Sequence, residues 1–430
     1  MTFRFLCIAM MLGAGLGLQT RTIAQNSLHL QFMPNQATAQ FIQPAYVYGI
    51  EGGSIIAGGS VDYLVGNNAF ALDMLNQAGP RWEEDARSTL VDALNGDTRF
   101  RLGLNAQGIL NVKLKNHNYS LSFRNRIGGY SRINNPQTMG LLLFGNAQYA
   151  GTTVQDENLA FRQYSFSEIG LGTGIDLGKV TLGVRIKGYM GHALYHIEDL
   201  SYALSTSELG DELALQSTYE IFESTEDASM GAGAGLDLGL IVEVQENLTL
   251  QASLLDLGFI RWEGQSVAND VNVTYSGAEI VNLFDADLQD LSFLLATDTL
   301  LGEVFPDTTE GAYTMGLPGS VNLGASWIVK EHNNFFASFH YDLDQFGRNA
   351  QIPLFNVGYH RTLGAFRLGL NSYVGGVEGY GVGAMGAANF KFGSVMNASL
   401  FAHMDNLVGL VAPGTGRGYA WHMGLTVGFP

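Results

Sequence analysis

The residues best suited to chemistry are charged side chains that recur at every second position. The basic ones are Arg99, Arg101, Arg124, Arg126, Arg185 and Lys187, and the acidic ones are Asp237, Glu243, Asp342 and Asp344. On a β-strand, a spacing of two places side chains on the same face. Basic groups on one wall with carboxylates on another would form a polarised pore or a site for an anionic ligand. In the alternative interpretation, these charges pair with one another inside a wet or filled interior.

Other kinds of chemistry have weaker support. The histidines are scattered, and no His-Glu-x-x-His motif occurs. Gly381 to Gly386 matches G-x-G-x-x-G, but it lies within a strand pattern and opens no helix, so it does not predict a nucleotide site. The sequence therefore predicts no enzymatic activity, no metal site and no cofactor.

Strict alternation of apolar and polar residues predicts the elements that carry these charges. From Arg99 onward, Phe100, Leu102 and Leu104 alternate with polar residues, and many later segments repeat the pattern. Connections between segments are alternately short and long. Membrane barrels have this arrangement, with short periplasmic turns, long extracellular loops and an even number of strands. We predict an all-β fold, a transmembrane antiparallel β-barrel of about 14 strands with small helical insertions.

The beginning of the chain and its composition indicate where the protein is located. Residues 1–24 have the basic, apolar and small-residue regions of a secretory signal peptide. Residues 25–50 are predicted to be a periplasmic or plug segment, and residues 51–430 the barrel. The net charge of −18 argues against nucleic acid as a partner. The predicted location is the outer membrane, with membrane lipids and the β-barrel assembly machinery as partners.

One segment breaks its own pattern. In Leu248 to Gly264, LTLQASLLDLGFIRWEG, the apolar parity changes at Leu254-Leu255-Asp256. A phase change within a strand indicates a bulge or a bend. Asp256 and Gly258 are therefore predicted to form a bend in the barrel wall and a candidate gate, with Trp262 as a residue of the aromatic girdle.

Several segments resemble an uncharacterised family of Bacteroidota outer-membrane barrels, a domain of unknown function. They are the leader ending in Ala-Gln, Leu254 to Trp262, Leu317 to Gly324, and Met404 to Leu407. The resemblance implies a fold related to FadL-type channels and to PorV-like barrel subunits of secretion and gliding complexes, but it implies no activity. The chain departs from the usual barrel pattern by ending in Phe429-Pro430.

Two functions remain open from the sequence. The first is passive transport or capture of a small molecule, hydrophobic ones included. The second is a non-enzymatic scaffold barrel in a secretion or surface-assembly complex.

Overall fold

The computed structural model describes residues 37–49, 55–71, 74, 84–94, 96–114, 117–224, 231–276, 308–343, 352–407, 411–412 and 416–429. The predicted signal peptide lies outside these residues, as does Asp344. Within this part of the chain, sixteen antiparallel strands form one sheet. The described helices are short, and none is long and apolar enough to cross a membrane.

The strands follow the alternation seen in the sequence. They are β1 (Ile55–Asn67), β2 (Thr98–Leu114), β3 (His117–Ile133), β4 (Thr153–Asp176), β5 (Val180–Thr206), β6 (Glu212–Ser224), β7 (Ala232–Gln245), β8 (Leu248–Ser276), β9 (Thr309–Gly316), β10 (Ser320–Val329), β11 (Asn333–Asp342), β12 (Leu354–Leu363), β13 (Phe366–Gly375), β14 (Gly379–Phe392), β15 (Met396–Asp405) and β16 (Gly418–Phe429). The helices are α1 (Tyr46–Gly49), α2 (Glu84–Ala93) and α3 (Pro136–Phe144), with 3-10 turns at Ala37–Phe41 and Ala147–Tyr149.

The sheet closes on itself. Consecutive strands pair from β1 to β5, β5 pairs with β7, β7 with β8, β8 with β10, and consecutive strands again pair from β10 to β16, which pairs with β1. Closure leaves no unpaired edge around this ring. The all-β barrel predicted from the sequence is therefore confirmed.

The strand count of sixteen differs from the predicted fourteen because two strands stand outside the ring. β6 pairs with the far ends of β5 and β8, and β9 pairs with β8 alone among the described strands. β8 continues past Glu263 to Ser276 as part of this extension.

The two ends of the barrel differ in their connections. At one end, the short-turn end, residues 177–179 join β4 to β5 and residues 330–332 join β10 to β11. At the other, the long-loop end, residues 68–97 join β1 to β2 and residues 134–152 join β3 to β4. There, α2 and α3 pack around a small apolar core that includes Phe70, Leu90 and Leu143.

Burial is inverted relative to a water-soluble protein. Large apolar side chains such as Phe123, Ile169 and Leu370 are exposed on the outside of the wall. Charged and amide side chains on the opposite parity are buried inside. An apolar exterior around a polar interior is the pattern of a barrel in a lipid bilayer.

Candidate functional site: the charged lumen

A group of seven charged residues lies in the middle of the barrel interior. Its basic members are Arg124, Arg126, Arg185 and Lys187, and its acidic members are Glu168, Asp237 and Asp256. We call this group the lumen cluster. Each residue points inward because it lies on the inward parity of β3, β4, β5, β7 or β8. The alternation seen in the sequence therefore brings these charges together.

Asp256 is the main anion of the lumen cluster. Its carboxylate accepts hydrogen bonds from Arg126 Nη1 at 2.8 Å and Arg124 Nη2 at 3.4 Å, and it also pairs with Lys187 Nζ. The Tyr189 hydroxyl donates a hydrogen bond to Asp256 Oδ1 at 3.4 Å. Since β3 and β5 supply these donors while Asp256 lies on β8, the cluster fastens one side of the barrel to another.

The remaining two anions complete the cluster. Glu168 accepts from Arg124 at 2.9 Å, and Asp237 lies 2.6 Å from Lys187 Nζ and 3.4 Å from Arg185 Nη1. These pairs favour the interpretation in which the charges neutralise one another. Because buried charges must be paired to avoid a large desolvation penalty, such a cluster tolerates the loss of one partner poorly.

β8 is irregular at Asp256. The register between β7 and β8 shifts between Leu236 and Leu238, and Asp256 has a φ of 56°, in the left-handed region. Aspartate tolerates this region better than most residues. Asp237 stabilises this conformation by accepting a hydrogen bond from the Asp256 backbone N–H at 2.7 Å. At Gly258, an added Cβ would overlap the main chain of Ala234 and Gly235, so only glycine allows this close approach.

Residues 37–49 lie inside the barrel toward the short-turn end, and we call them the inner segment. Arg185 donates to Gln40 O at 2.7 Å, and Gln251 donates to the Tyr46 hydroxyl at 2.7 Å. The centroid of the Phe41 ring lies 5.2 Å from Arg124 Cζ and 5.0 Å from Arg185 Cζ, so both guanidinium groups contact the ring. The lumen cluster thus contacts the inner segment directly.

The wall is shaped to hold this segment. An added Cβ would meet Ala37 at Gly58, the main chain of Ala45 at Gly183, and Gln43 and Ala45 at Gly239. Three glycines on different strands therefore leave the space that the segment occupies. Gln43 Nε2 also donates to the carbonyls of Leu240 and Ala252, at 3.2 and 3.1 Å.

Other charges named from the sequence lie elsewhere. Arg99 pairs with Asp97 at 2.6 Å near the long-loop end, and Arg101 pairs with Asp342 at 2.7 Å. Glu243 is exposed near the short-turn end. Glu168 was not predicted from the sequence. The large apolar side chain of Phe166 shares its inward face, so the segment does not show a simple polar-inward pattern.

Apolar side chains lie inside the barrel between the lumen cluster and the long-loop end. This aromatic cluster consists of Phe166, Tyr189, Leu194, Phe222, Ile260, Trp262, Met315 and Leu317. Trp262 is 1% exposed, so its predicted place in the outer girdle is wrong. The phase change at Asp256 is the reason, because it turns Ile260 and Trp262 inward while Phe259 and Arg261 point outward.

Glu378 is a buried carboxyl in the turn between β13 and β14. It accepts a hydrogen bond from the Tyr373 hydroxyl at 2.6 Å and one from Asn406 Nδ2 at 3.4 Å. Burial raises the pKa of the Glu378 carboxyl to about 7, and the nearby Asp405 carboxylate adds to this. The hydrogen bonds from Tyr373 and Asn406 act in the opposite direction.

This raised pKa predicts a pH dependence. In the unfolded chain the carboxyl titrates at 4.5, so its contribution to stability is fully present below that pH and is lost as the pH rises through about 7. Glu378→Gln should flatten the dependence between pH 5 and pH 8, measured as unfolding temperature in detergent. The matched control is Glu220→Gln at an exposed position of β6. Equal slopes for wild type and Glu378→Gln would contradict the prediction.

Metal binding has no structural support in the described ranges. No group of three or more His, Cys, Asp or Glu side chains is placed there to hold a metal ion. The acid–histidine contacts that do occur are pairs, such as Asp62 with His422 at 2.9 Å.

The fold and the site define the class of protein: a closed β-barrel with an apolar exterior and a charged interior occupied by its own chain. Residues 54–398 match the model of a family of unknown function, DUF5723, and the chain belongs to that family. Membership of an uncharacterised barrel family, predicted from the sequence, is thereby confirmed. No curated protein matches the chain.

Solved barrels of similar architecture have very different sequences. The Pseudomonas putida toluene transporter TodX is 12% identical, with a TM-score of 0.47 and coverage of 96% of this chain and 95% of its own. A Pseudomonas aeruginosa FadL homologue is 11% identical, with a TM-score of 0.49 and coverage of 95% and 99%. The Ralstonia pickettii toluene transporter TbuX is 10% identical, with a TM-score of 0.46 and coverage of 92% and 94%. Similarities of this size show neither a shared ligand nor a shared activity.

Proposed function

We propose that this protein is a non-enzymatic outer-membrane barrel for the passive transport or capture of a small hydrophobic molecule. The observation that carries the proposal is the seating of residues 37–49 against Gly58, Gly183 and Gly239. A ring of fourteen strands is too wide to be filled by its own side chains. Here a separate piece of chain fills part of it, and a separate piece can be displaced without dismantling the wall.

The exterior supports a location in the membrane. Near the short-turn end, the ring centroids of Phe335 and Tyr359 are 5.0 Å apart. Farther along the same wall, the ring centroids of Phe339 and Phe355 are also 5.0 Å apart. Phe335 lies two residues from the end of β11 that meets the short turn, and aromatic residues at such a level are typical of a bilayer interface. We assign the short-turn end to the periplasm, with residues 1–24 as the export signal. Membrane lipids and the β-barrel assembly machinery are the partners this location implies.

The bend at Asp256 and Gly258 supplies a candidate route through the wall. The β8–β10 ladder ends at the Leu255–Ser320 pair, and the β8–β9 ladder begins at Phe259–Gly316. Between them, Leu317 N donates to Gly258 O at 3.0 Å. The aromatic cluster lies just beyond this interruption, so a hydrophobic molecule would find apolar contacts on both sides of it.

Deleting residues 37–49 should open the barrel. We expect the deletion variant to conduct ions in planar bilayers and to admit small solutes in liposome swelling, while the wild type conducts less. Deletion of residues 68–97 at the other end is the comparison that separates the inner segment from the helical cap. Absence of flux in both folded variants would overturn the transport proposal.

A scaffold role is the second candidate, because the wall extends far beyond a bilayer. β5 has 27 residues and β8 has 29, whereas a barrel strand crosses a bilayer with about 9–11. The extension formed with β6 and β9 offers a surface to a secretion or surface-assembly complex. This candidate requires stable co-purification with partners after mild detergent extraction, and a clean monomer would count against it.

A further inference from the structure

One ion pair joins opposite walls of the barrel. Around the ring, β2 reaches β11 in seven steps through β3, β4, β5, β7, β8 and β10, and again in seven steps through β1, β16, β15, β14, β13 and β12. Arg101 on β2 and Asp342 at the end of β11 are nevertheless 2.7 Å apart, from Nη1 to Oδ2. This contact spans the lumen.

We propose that the Arg101–Asp342 ion pair is the constriction that controls passage through the long-loop mouth. A circular ring of fourteen strands would be about 28 Å across, given strands about 4.8 Å apart and tilted by about 40°. Two side chains meeting at a hydrogen bond reach much less than that. The lumen is therefore narrowed at this level, and solutes must pass beside or through the bridge.

The acceptor side of the bridge is held in place. Asp342 Oδ1 is 3.1 Å from His340 Nε2, and His340 Nδ1 is 2.7 Å from Asn322 Oδ1. Asn322 Nδ2 in turn donates to Ser253 Oγ at 3.1 Å, which extends the chain of contacts from β11 to β8. Nearby, the chain leaves the wall at Leu343, whose N–H donates to Gly319 O at 2.6 Å.

Arg101 is the more exposed partner of the bridge. Its side chain is 30% exposed, against 18% for Asp342. Since both side chains keep some contact with water, each charge can be hydrated when the bridge opens. The bridge can therefore break and re-form while the barrel stays intact, which a constriction requires and the buried lumen cluster does not allow.

The bridge and the lumen cluster lie at different depths. Arg126 is the ladder partner of Asn105, whereas Arg101 pairs with Tyr130, four positions nearer the long-loop end. At about 3.3 Å per residue, the separation is roughly 13 Å along the strand. Breaking the bridge should thus expose the lumen below it without disturbing the inner segment.

Accessibility of Asn105 tests the proposal directly. Asn105 is buried, faces inward and lies below the bridge, level with Arg126 of the lumen cluster. In a Cys7→Ser background, which removes the one cysteine of the chain, Asn105→Cys is exposed on cells to a bulky, membrane-impermeant maleimide. Adding Arg101→Ala should speed labelling about fivefold, the factor corresponding to loss of a partly exposed ion pair. The charge swap Arg101→Asp with Asp342→Arg should restore slow labelling.

Asp97→Asn is the matched control. Asp97 pairs with Arg99 and Arg132 near the same end of the barrel, but all three belong to one side of the wall. Labelling should remain at the wild-type rate. Unchanged labelling in Arg101→Ala, or an equal acceleration in Asp97→Asn, would overturn the proposal.

A second measurement tests the geometry alone. In an Arg101→Cys, Asp342→Cys double variant, a short bis-maleimide should link the two positions. Failure to link them in the folded barrel would remove the basis of the proposal. The proposal rests on the proposed transport function only for its biological purpose. If labelling and linking behave as expected while deletion of residues 37–49 gives no flux, the transport proposal is contradicted and the proposed constriction is still supported.

Discussion

Replacing Asp256 with asparagine is expected to destabilise the folded barrel by about 3–5 kcal/mol, because it leaves buried cations without their main partner. Arg126, Lys187 and Arg124 all contact this carboxylate. Asparagine retains the size of the side chain and its tolerance of the left-handed backbone, so the change isolates the charge. The measurement is the temperature at which the folded form is lost in seminative electrophoresis.

Two further variants decide whether charge is the cause. Adding Lys187→Met to Asp256→Asn leaves three cations and two anions, the same excess of one as the four cations and three anions of the native cluster. This double variant should recover part of the lost stability. Asp270→Asn, at an exposed position bonded to Thr218, should change stability by no more than about 0.5 kcal/mol. A single variant as stable as the wild type would show that the cluster does not hold the wall together.

The local pattern predicts the wall and the direction in which its charges point. Arg124, Arg126, Arg185 and Lys187 follow the two-residue period, and the structure buries all four inside. The phase change at Asp256 was also visible, because a strand cannot change its apolar parity without a bulge. Such features depend on residues adjacent in sequence, which a single sequence displays.

The partners of these residues could not be read in the same way. Arg101 and Asp342 are 241 positions apart, and their contact exists only because the ring closes and narrows. The side of the wall predicted for Trp262 was also wrong, because the phase change six residues earlier, at Asp256, turns its side chain inward. Gly183 and Gly239 looked like ordinary small residues of a strand, since their role depends on the inner segment that lies against them.

Gly183→Val should displace the inner segment from the lumen. A Cβ at this position overlaps the main chain of Ala45, and the wall strand β5 is held on both sides by its ladders. The segment can relieve the overlap by moving, whereas the wall cannot. Overpacking of this kind costs about 1–3 kcal/mol, so the displaced state should gain roughly 5- to 150-fold in population.

Limited proteolysis from the short-turn side and single-channel conductance measure this displacement independently. In Gly183→Val, the chain should become cleavable within residues 37–49, and conductance should rise toward that of the deletion variant. Gly188→Val is the control on the same strand, because a Cβ there meets only Ile169 at an ordinary 3.8 Å. The wild type and the control should resist cleavage equally. If the segment stays protected in a folded Gly183→Val barrel, it is a fixed part of the wall and not a removable plug, and transport through the lumen would require another route.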